Sequence, residues 1–179
     1  VLAVLHEAFG VRWGLIGTVH AQTAAQRVVD SASEDPRRGR AAGHNIIPTT
    51  TGAVRAVAQV LPALAGKIDG HSVRVPVVDG SLFDVTCTLG DTPGLERVLD
   101  ALRSASQGRL RGILEVTDAP LVSSDVVGDL HSSIVDEGAS LASGPLVRVV
   151  GWYDNEAAYA ARLLDLASIW GARNEAGVA

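Results

Sequence analysis

The chain has 179 residues, 47% of them apolar and 20% charged, a balance that allows a globular domain to bury a real core. A net charge of −5 and a pI near 5.4 leave no broad cationic surface, which argues against nucleic acid and anionic membranes as partners and for small molecules and other subunits. A single cysteine cannot close an internal disulfide, no Cys/His group has zinc spacing and no apolar run is long enough to cross a bilayer; no metal, no membrane span and a reducing, cytoplasmic setting are therefore expected.

Val1 to Ala8 reads as the continuation of a helix, with Leu2, Leu5 and Ala8 at helical spacing and Gly10 as its stop. The chain contains no Met, and together with this helix in mid-course that leads to the expectation of a longer protein extending before Val1. No signal peptide is read in VLAVLHEAFG, which has no basic leader. A strand follows over Arg12 to His20: Trp13, Leu15 and Val19 form its apolar side, so His20 is expected on the face opposite the core. Gln22 to Asn45 has no sustained period, and an irregular segment of that length inside a compact domain points to function.

Thr49 to Leu61 reads as a helix with Val54, Val57, Ala58 and Leu61 as its buried stripe and Pro62 as its stop. His71 to Val78 and Leu82 to Leu89 read as two strands of a hairpin turning at Asp79-Gly80, with Val73, Val75 and Val77 on the apolar side and Arg74 on the other. Pro93 to Gln107 reads as a helix with Leu95, Val98, Leu99 and Leu102 as its stripe. Four short strands are expected around Ile113, Ser133, Ser140 and Val147. Asp154 caps a last helix running to Trp170, with Tyr159, Leu163, Leu166 and Trp170 along one side, Gly171 as its end and a polar tail beyond. Hairpin-joined strands with few helices predict an α+β fold: a mainly antiparallel, mixed sheet covered by helices on one face. No G-x-G-x-x-G follows a strand, so this chain holds no dinucleotide by itself in the Rossmann manner.

Three groups could carry chemistry. His20 ends a strand beside the irregular segment, where a base could meet a substrate or a surface histidine could simply face water. Thr49, Thr50, Thr51 and Gly52 at a helix start offer free N–H groups and hydroxyls to an anion, and Arg74 could add a bidentate partner; a Thr cap and a solvated arginine are the alternative. Cys87 alternates in phase with Phe83, Val85 and Leu89, which makes it a core residue rather than a nucleophile. Arg37, Arg38 and Arg40 could bind an anion or a neighbouring subunit, or form a solvated basic loop. His6, His44, His71 and His131 share no face and are read as structural.

Six stretches then occur in order: TVHAQT (Thr18 to Thr23), NIIPTTTGA (Asn45 to Ala53), GKIDGHSVRVPV (Gly66 to Val77), VSSDVVGD (Val122 to Asp129), HSSIVD (His131 to Asp136) and VVGWYDNE (Val149 to Glu156). Together they resemble the signature blocks of phosphorylating glyceraldehyde-3-phosphate dehydrogenases over nearly the whole chain. The resemblance implies an NAD-dependent aldehyde dehydrogenase of glycolysis, with NADP not excluded, acting on glyceraldehyde 3-phosphate and inorganic phosphate as a homotetramer. It implies that His20 is the acid/base that pairs with a catalytic thiolate, that Thr23 and Arg74 hold the substrate's phosphate, and that Thr51 and Gly52, near Arg74, hold the attacking phosphate. Asn155 is implied to orient the nicotinamide carboxamide, with Tyr159 beside it, and Gln22 to Asn45 to be a loop at a subunit interface.

By the same resemblance residues 1–153 are the substrate-binding catalytic unit, and 154–179 a helix that packs on an NAD-binding domain outside the chain. The Ser-Cys-Thr-Thr-Asn motif of the family's nucleophile would precede Val1. Ala25 departs from the acidic residue many members carry there, and Ala157 and Ala158 from the residues usual after the Asn-Glu pair. Erythrose-4-phosphate dehydrogenase, and a non-catalytic paralogue serving as an interaction module, are the competing expectations.

Overall fold

The computed structural model describes residues 1–176. Helix α1 (Leu2–Phe9) leads into strand β1 (Val11–His20), and after a long irregular stretch come β2 (Ile47–Thr49), α2 (Ala53–Val60) and β3 (Ile68–Arg74). Then follow β4 (Ser81–Leu89), α3 (Leu95–Gln107), β5 (Leu114–Thr117), β6 (Ser133–Ser143), β7 (Leu146–Tyr153) and α4 (Ala157–Ala176). The seven strands form one sheet in the order β2-β3-β1-β4-β7-β6-β5. Only β1/β3 and β5/β6 run parallel; every other neighbouring pair is antiparallel, which is the mixed, mainly antiparallel α+β architecture expected.

The core lies between one face of this sheet and helices α1 and α3. Leu2, Leu5 and Phe9 of α1 and Val98, Leu99 and Leu102 of α3 meet Ile16, Ile68, Val85, Cys87, Val147 and Val149 of the strands. Each such buried aliphatic side chain contributes roughly 1.5–3 kcal/mol, and the α1 stripe closes with Phe9 where Ala8 was expected, because Ala8 is exposed. Gly10 ends α1 in the left-handed conformation, its N–H donating to the His6 carbonyl. Arg103 of α3 makes a two-pronged ion pair with Glu137 of β6, 2.7 Å at each contact, which ties helix to sheet. No helix among the described residues is long and apolar enough to cross a membrane.

Four expectations are corrected. First, the packed side of β1 carries Gly14, Ile16, Thr18 and His20, whereas Trp13 and Leu15 are 64% and 61% exposed on the open side. A bulge causes the inversion: Val11 pairs with Leu89 and Trp13 with Thr88, so Arg12 is an extra residue that shifts the alternation by one. His20 therefore shares the core face, beyond the edge of the helices, and Arg74 shares it through Ser72 and Ile68 on β3. Second, β3 and β4 form no hairpin. β1 lies between them, and 75–80 crosses the end of β1. Third, Ser133 and Ser140 belong to a single strand, β6, whose pairing with β7 is irregular between Asp136 and Leu141. Fourth, α4 runs through Gly171 to Ala176; the polar tail expected there falls in its remainder on 177–179, outside the described residues.

The crossing segment is tightly packed at its last residue. Gly80 sits at φ +80°, and a Cβ there would lie 1.9 Å from the Ser123 carbonyl oxygen. Gly66, at φ +73°, has nothing within 4 Å. Gly80→Ala is thus expected to lower stability by about 2–3 kcal/mol or more and Gly66→Ala by about 1 kcal/mol, a gap that urea unfolding of the two variants would measure.

Candidate functional site

His20 and Arg74 are register partners at the C-terminal ends of two adjacent parallel strands, so their side chains leave the same face side by side. His20 Nδ1 lies 2.8 Å from the Ala21 carbonyl oxygen, to which it donates when protonated, and 2.8 Å from Arg74 Nη1, which itself donates to the same carbonyl at 3.2 Å. Tyr153, the last residue of β7, meets the imidazole edge-on at 6.0 Å between ring centres. Burial holds the ring's pKa below its ordinary value, with Arg74 acting the same way and the Ala21 carbonyl and Asp79 carboxylate opposing. With Nδ1 turned to the Ala21 carbonyl and Arg74, Nε2 is the nitrogen free to exchange a proton with a reacting group.

On the far side of Arg74 lies a small pocket lined by Thr23, Ala25, Gln26, Arg38, Ile47, Thr49 and Arg74. The irregular segment builds half of it by folding back on itself: Arg27 bridges Ala41, the Asp30 carboxylate accepts from Arg40 and from the Ala41 N–H, and Ser31 N–H reaches the Gly39 carbonyl. This returns Arg38 to β2, where its Nε donates to Thr49 Oγ1 at 2.8 Å. Burial lowers the Arg74 pKa and the second guanidinium, Arg38, adds to it, while Tyr153 opposes. Two cations and two threonine hydroxyls around one pocket make a place for an anion.

The other expected residues are distributed less compactly. Thr51 Oγ1 accepts the Ala53 N–H at 3.1 Å, and Gly52 stands at the N-terminus of α2 with no atom within 4 Å of where its Cβ would be; neither lines the pocket, which this segment reaches at Thr49. Asn155 is tied to the His20 end of β1 by the buried Ser81, whose Oγ accepts the Ala21 N–H and donates to Asn155 Oδ1 at 2.5 Å. The Asn155 Nδ2 is buried and has no acceptor among the described residues. Tyr159, one turn into α4, is 66% exposed, on the helix that also exposes Leu163, Leu166 and Trp170. Cys87 is 1% exposed, and burial pushes its thiol up to about 11, which removes it as a nucleophile near neutral pH.

Asp154 joins α4 to the site. Its Oδ1 accepts the Glu156 and Ala157 N–H groups and its Oδ2 that of Gly128, while Asp79 next to it accepts from Gly80 and Asn155. Burial pushes the Asp154 carboxyl up, but these backbone donors more than offset it and hold it below the usual range. Its stabilisation is accordingly complete above the ordinary Asp pKa and is lost as pH falls through the lowered one.

Residues 1–155 match the family described as glyceraldehyde 3-phosphate dehydrogenase, C-terminal domain. The chain belongs to that family. It is 48% identical over 168 residues to glyceraldehyde-3-phosphate dehydrogenase 2 of Streptomyces arenae, covering 94% of this chain and 50% of the relative. It is 46% identical over the same span to glyceraldehyde-3-phosphate dehydrogenase of Mycobacterium leprae (strain TN), and 49% identical over 165 residues to glyceraldehyde-3-phosphate dehydrogenase B of Aspergillus oryzae, covering 91% of this chain and 49% of the relative. The chain thus spans about half the length of the curated relatives it matches. Within this family domain, Gln26, Ser81 and Tyr153 are the site residues that sequence reasoning missed. Gln26 carried one signal, its position three residues after Thr23, where a side-chain amide can close a turn.

Proposed function

We propose that this chain is the catalytic domain of an NAD-dependent, phosphorylating glyceraldehyde-3-phosphate dehydrogenase whose nucleophilic cysteine and Rossmann domain belong to the rest of the protein. The observation that carries the reading is the His20–Arg74 contact beside a donor-lined pocket, which sets an acid/base group against a phosphate site. Membership of the family and relatives of twice this length support it.

In this reading Thr23 and Arg74 hold the substrate's phosphate and so fix the distance from that anchor to the aldehyde carbon. His20 Nε2 faces the incoming thiol; a thiolate beside it reverses the pull of burial and Arg74 and favours the imidazolium, which in turn lowers the thiol pKa. The same proton stabilises charge on the aldehyde oxygen and is then available for transfer. Thr51, Gly52 and Arg74 receive inorganic phosphate for attack on the acyl group, through hydroxyl, backbone and guanidinium donors. The residues also fit the cofactor: Asn155 Nδ2 is a buried donor lacking an acceptor, which a nicotinamide carboxamide oxygen would supply, and Tyr159 is exposed on the same helix to pack beside it. When bound, NAD supplies the hydride acceptor.

Residues 1–153 act as the catalytic unit, and the exposed stripe of α4 within 154–179 packs on the cofactor-binding domain. The open apolar side of the sheet, with Trp13 and Leu15, supports assembly into a homotetramer. The full-length protein is expected to reduce NAD with glyceraldehyde 3-phosphate only when inorganic phosphate is present, and faster than with erythrose 4-phosphate. Absence of reduction with either aldehyde would discard the reading.

A further inference from the structure

The Gln26 side chain has one orientation. Its Oε1 lies 2.9 Å from the Thr23 backbone nitrogen, and since that N–H can only donate, the carbonyl end of the amide must face it. Nε2 is thereby turned the other way, where it is buried and meets no acceptor among the described residues. Gln26 lines the pocket that Thr23, Arg38, Thr49 and Arg74 also line. Thr49 Oγ1 already accepts from Arg38, which leaves its own proton to donate. Ala25 contributes only a methyl group, and no carboxylate among the described residues lines the pocket. A buried donor left unpaired is unfavourable, and one on a residue that lines a pocket of further donors is matched by a group that brings several acceptor oxygens and negative charge.

We propose that Gln26 is a ligand of the substrate's own phosphate, donating from Nε2 to a phosphate oxygen while its Oε1 fixes the Thr23 turn. The assignment rests on the aldehyde dehydrogenase reading for the identity of the substrate, and on the geometry alone for the site. Gln26 belongs to the substrate's phosphate rather than the attacking one because it is bonded to Thr23, whereas Thr51 and Gly52 lie outside this pocket. No acidic side chain at position 25 competes for the amide, so Nε2 is available to the ligand.

Gln26→Glu tests this sharply. It keeps an oxygen for the Thr23 N–H but replaces the donor with a negative oxygen. In the full-length enzyme the KM for glyceraldehyde 3-phosphate is expected to rise roughly 10- to 100-fold, with the KM for inorganic phosphate little changed. The loss on D-glyceraldehyde, which has no phosphate for Nε2 to meet, is expected to be at least about tenfold smaller. Gln26→Ala, which also frees the Thr23 N–H, reports how much of any loss is turn geometry. An unchanged KM, an equal loss on both aldehydes, or a rise confined to inorganic phosphate would each overturn the assignment. Calorimetric titration with glycerol 3-phosphate separates the two readings: if the unmodified protein turns over neither aldehyde yet binds this ligand and Gln26→Glu weakens it about tenfold, the dehydrogenase reading fails and the site stands. If the unmodified protein does not bind it, or the variant binds it equally well, the site fails.

Discussion

If the proposed dehydrogenase reading holds, replacing His20 with Asn in the full-length protein is expected to lower kcat by roughly 10²- to 10⁴-fold, the range set by loss of a positioned acid/base group. The substitution is chosen because the short Asn amide can meet both neighbours of Nδ1, its NH2 donating to the Ala21 carbonyl and its Oδ1 accepting from Arg74, while offering nothing in place of Nε2. The phosphate pocket then keeps its arginine, and the KM values should move by less than about threefold while kcat collapses. The ring itself should reveal its surroundings. With the thiol alkylated, His20 is expected to titrate below its ordinary value, as burial and Arg74 dictate; freeing the thiol places a negative charge beside it and moves the titration upward. A His20→Asn enzyme of normal kcat would remove the imidazole from the mechanism, and a ring whose titration ignores the thiol would remove the ion pair.

Arg74→Leu is the second large effect. Arg74 is the one described residue that touches both the imidazole and the anion pocket, so its loss is expected to raise the KM for glyceraldehyde 3-phosphate and for inorganic phosphate together. Two charge-assisted hydrogen bonds at about 1.5–3 kcal/mol each, discounted for overlap with Thr23 and Arg38, give a fall in kcat/KM of roughly two to three orders of magnitude. Arg74→Lys should recover only part of it, since a point charge on a shorter donor set cannot span the ring nitrogen, the Ala21 carbonyl and a phosphate oxygen at once. Steady-state kinetics with each substrate varied in turn separates this double effect from the single one expected of Gln26. A change in one KM alone would show that the two phosphates do not share Arg74.

The family was more legible than the faces on which its signature blocks stand. The order of the signature blocks identified the family, and α3, the core placement of Cys87 and the Asp154 cap could be read from spacing and turn residues alone. The packed side of β1 could not. Trp13, Leu15 and Val19 make one side apolar, yet period two says only which residues share a side, and Arg12 breaks the count. The Asp79-Gly80 turn is real as a bend but joins strands that a third has entered between, which local sequence does not encode. A helix was readable near Thr51 and Gly52, but it starts at Ala53 rather than Thr49, which ends β2, and its expected stripe is only half-buried. The pocket at Thr49 depends on the fold-back of residues 27–41 around Asp30, a long-range closure with no short-range signature.

The extra residue in β1 has a further meaning for how this strand tolerates change. Exchanging one side chain for another along it is a local event, but altering its length beyond the bulge is not: removing one residue between Trp13 and His20 while the bulge is kept would invert every position past the cut, turning the imidazole to the side of the exposed Trp13 and a valine in toward Arg74. Removing Arg12 itself would only make the pairing regular. Insertions and deletions in this short stretch therefore act on chemistry at its far end.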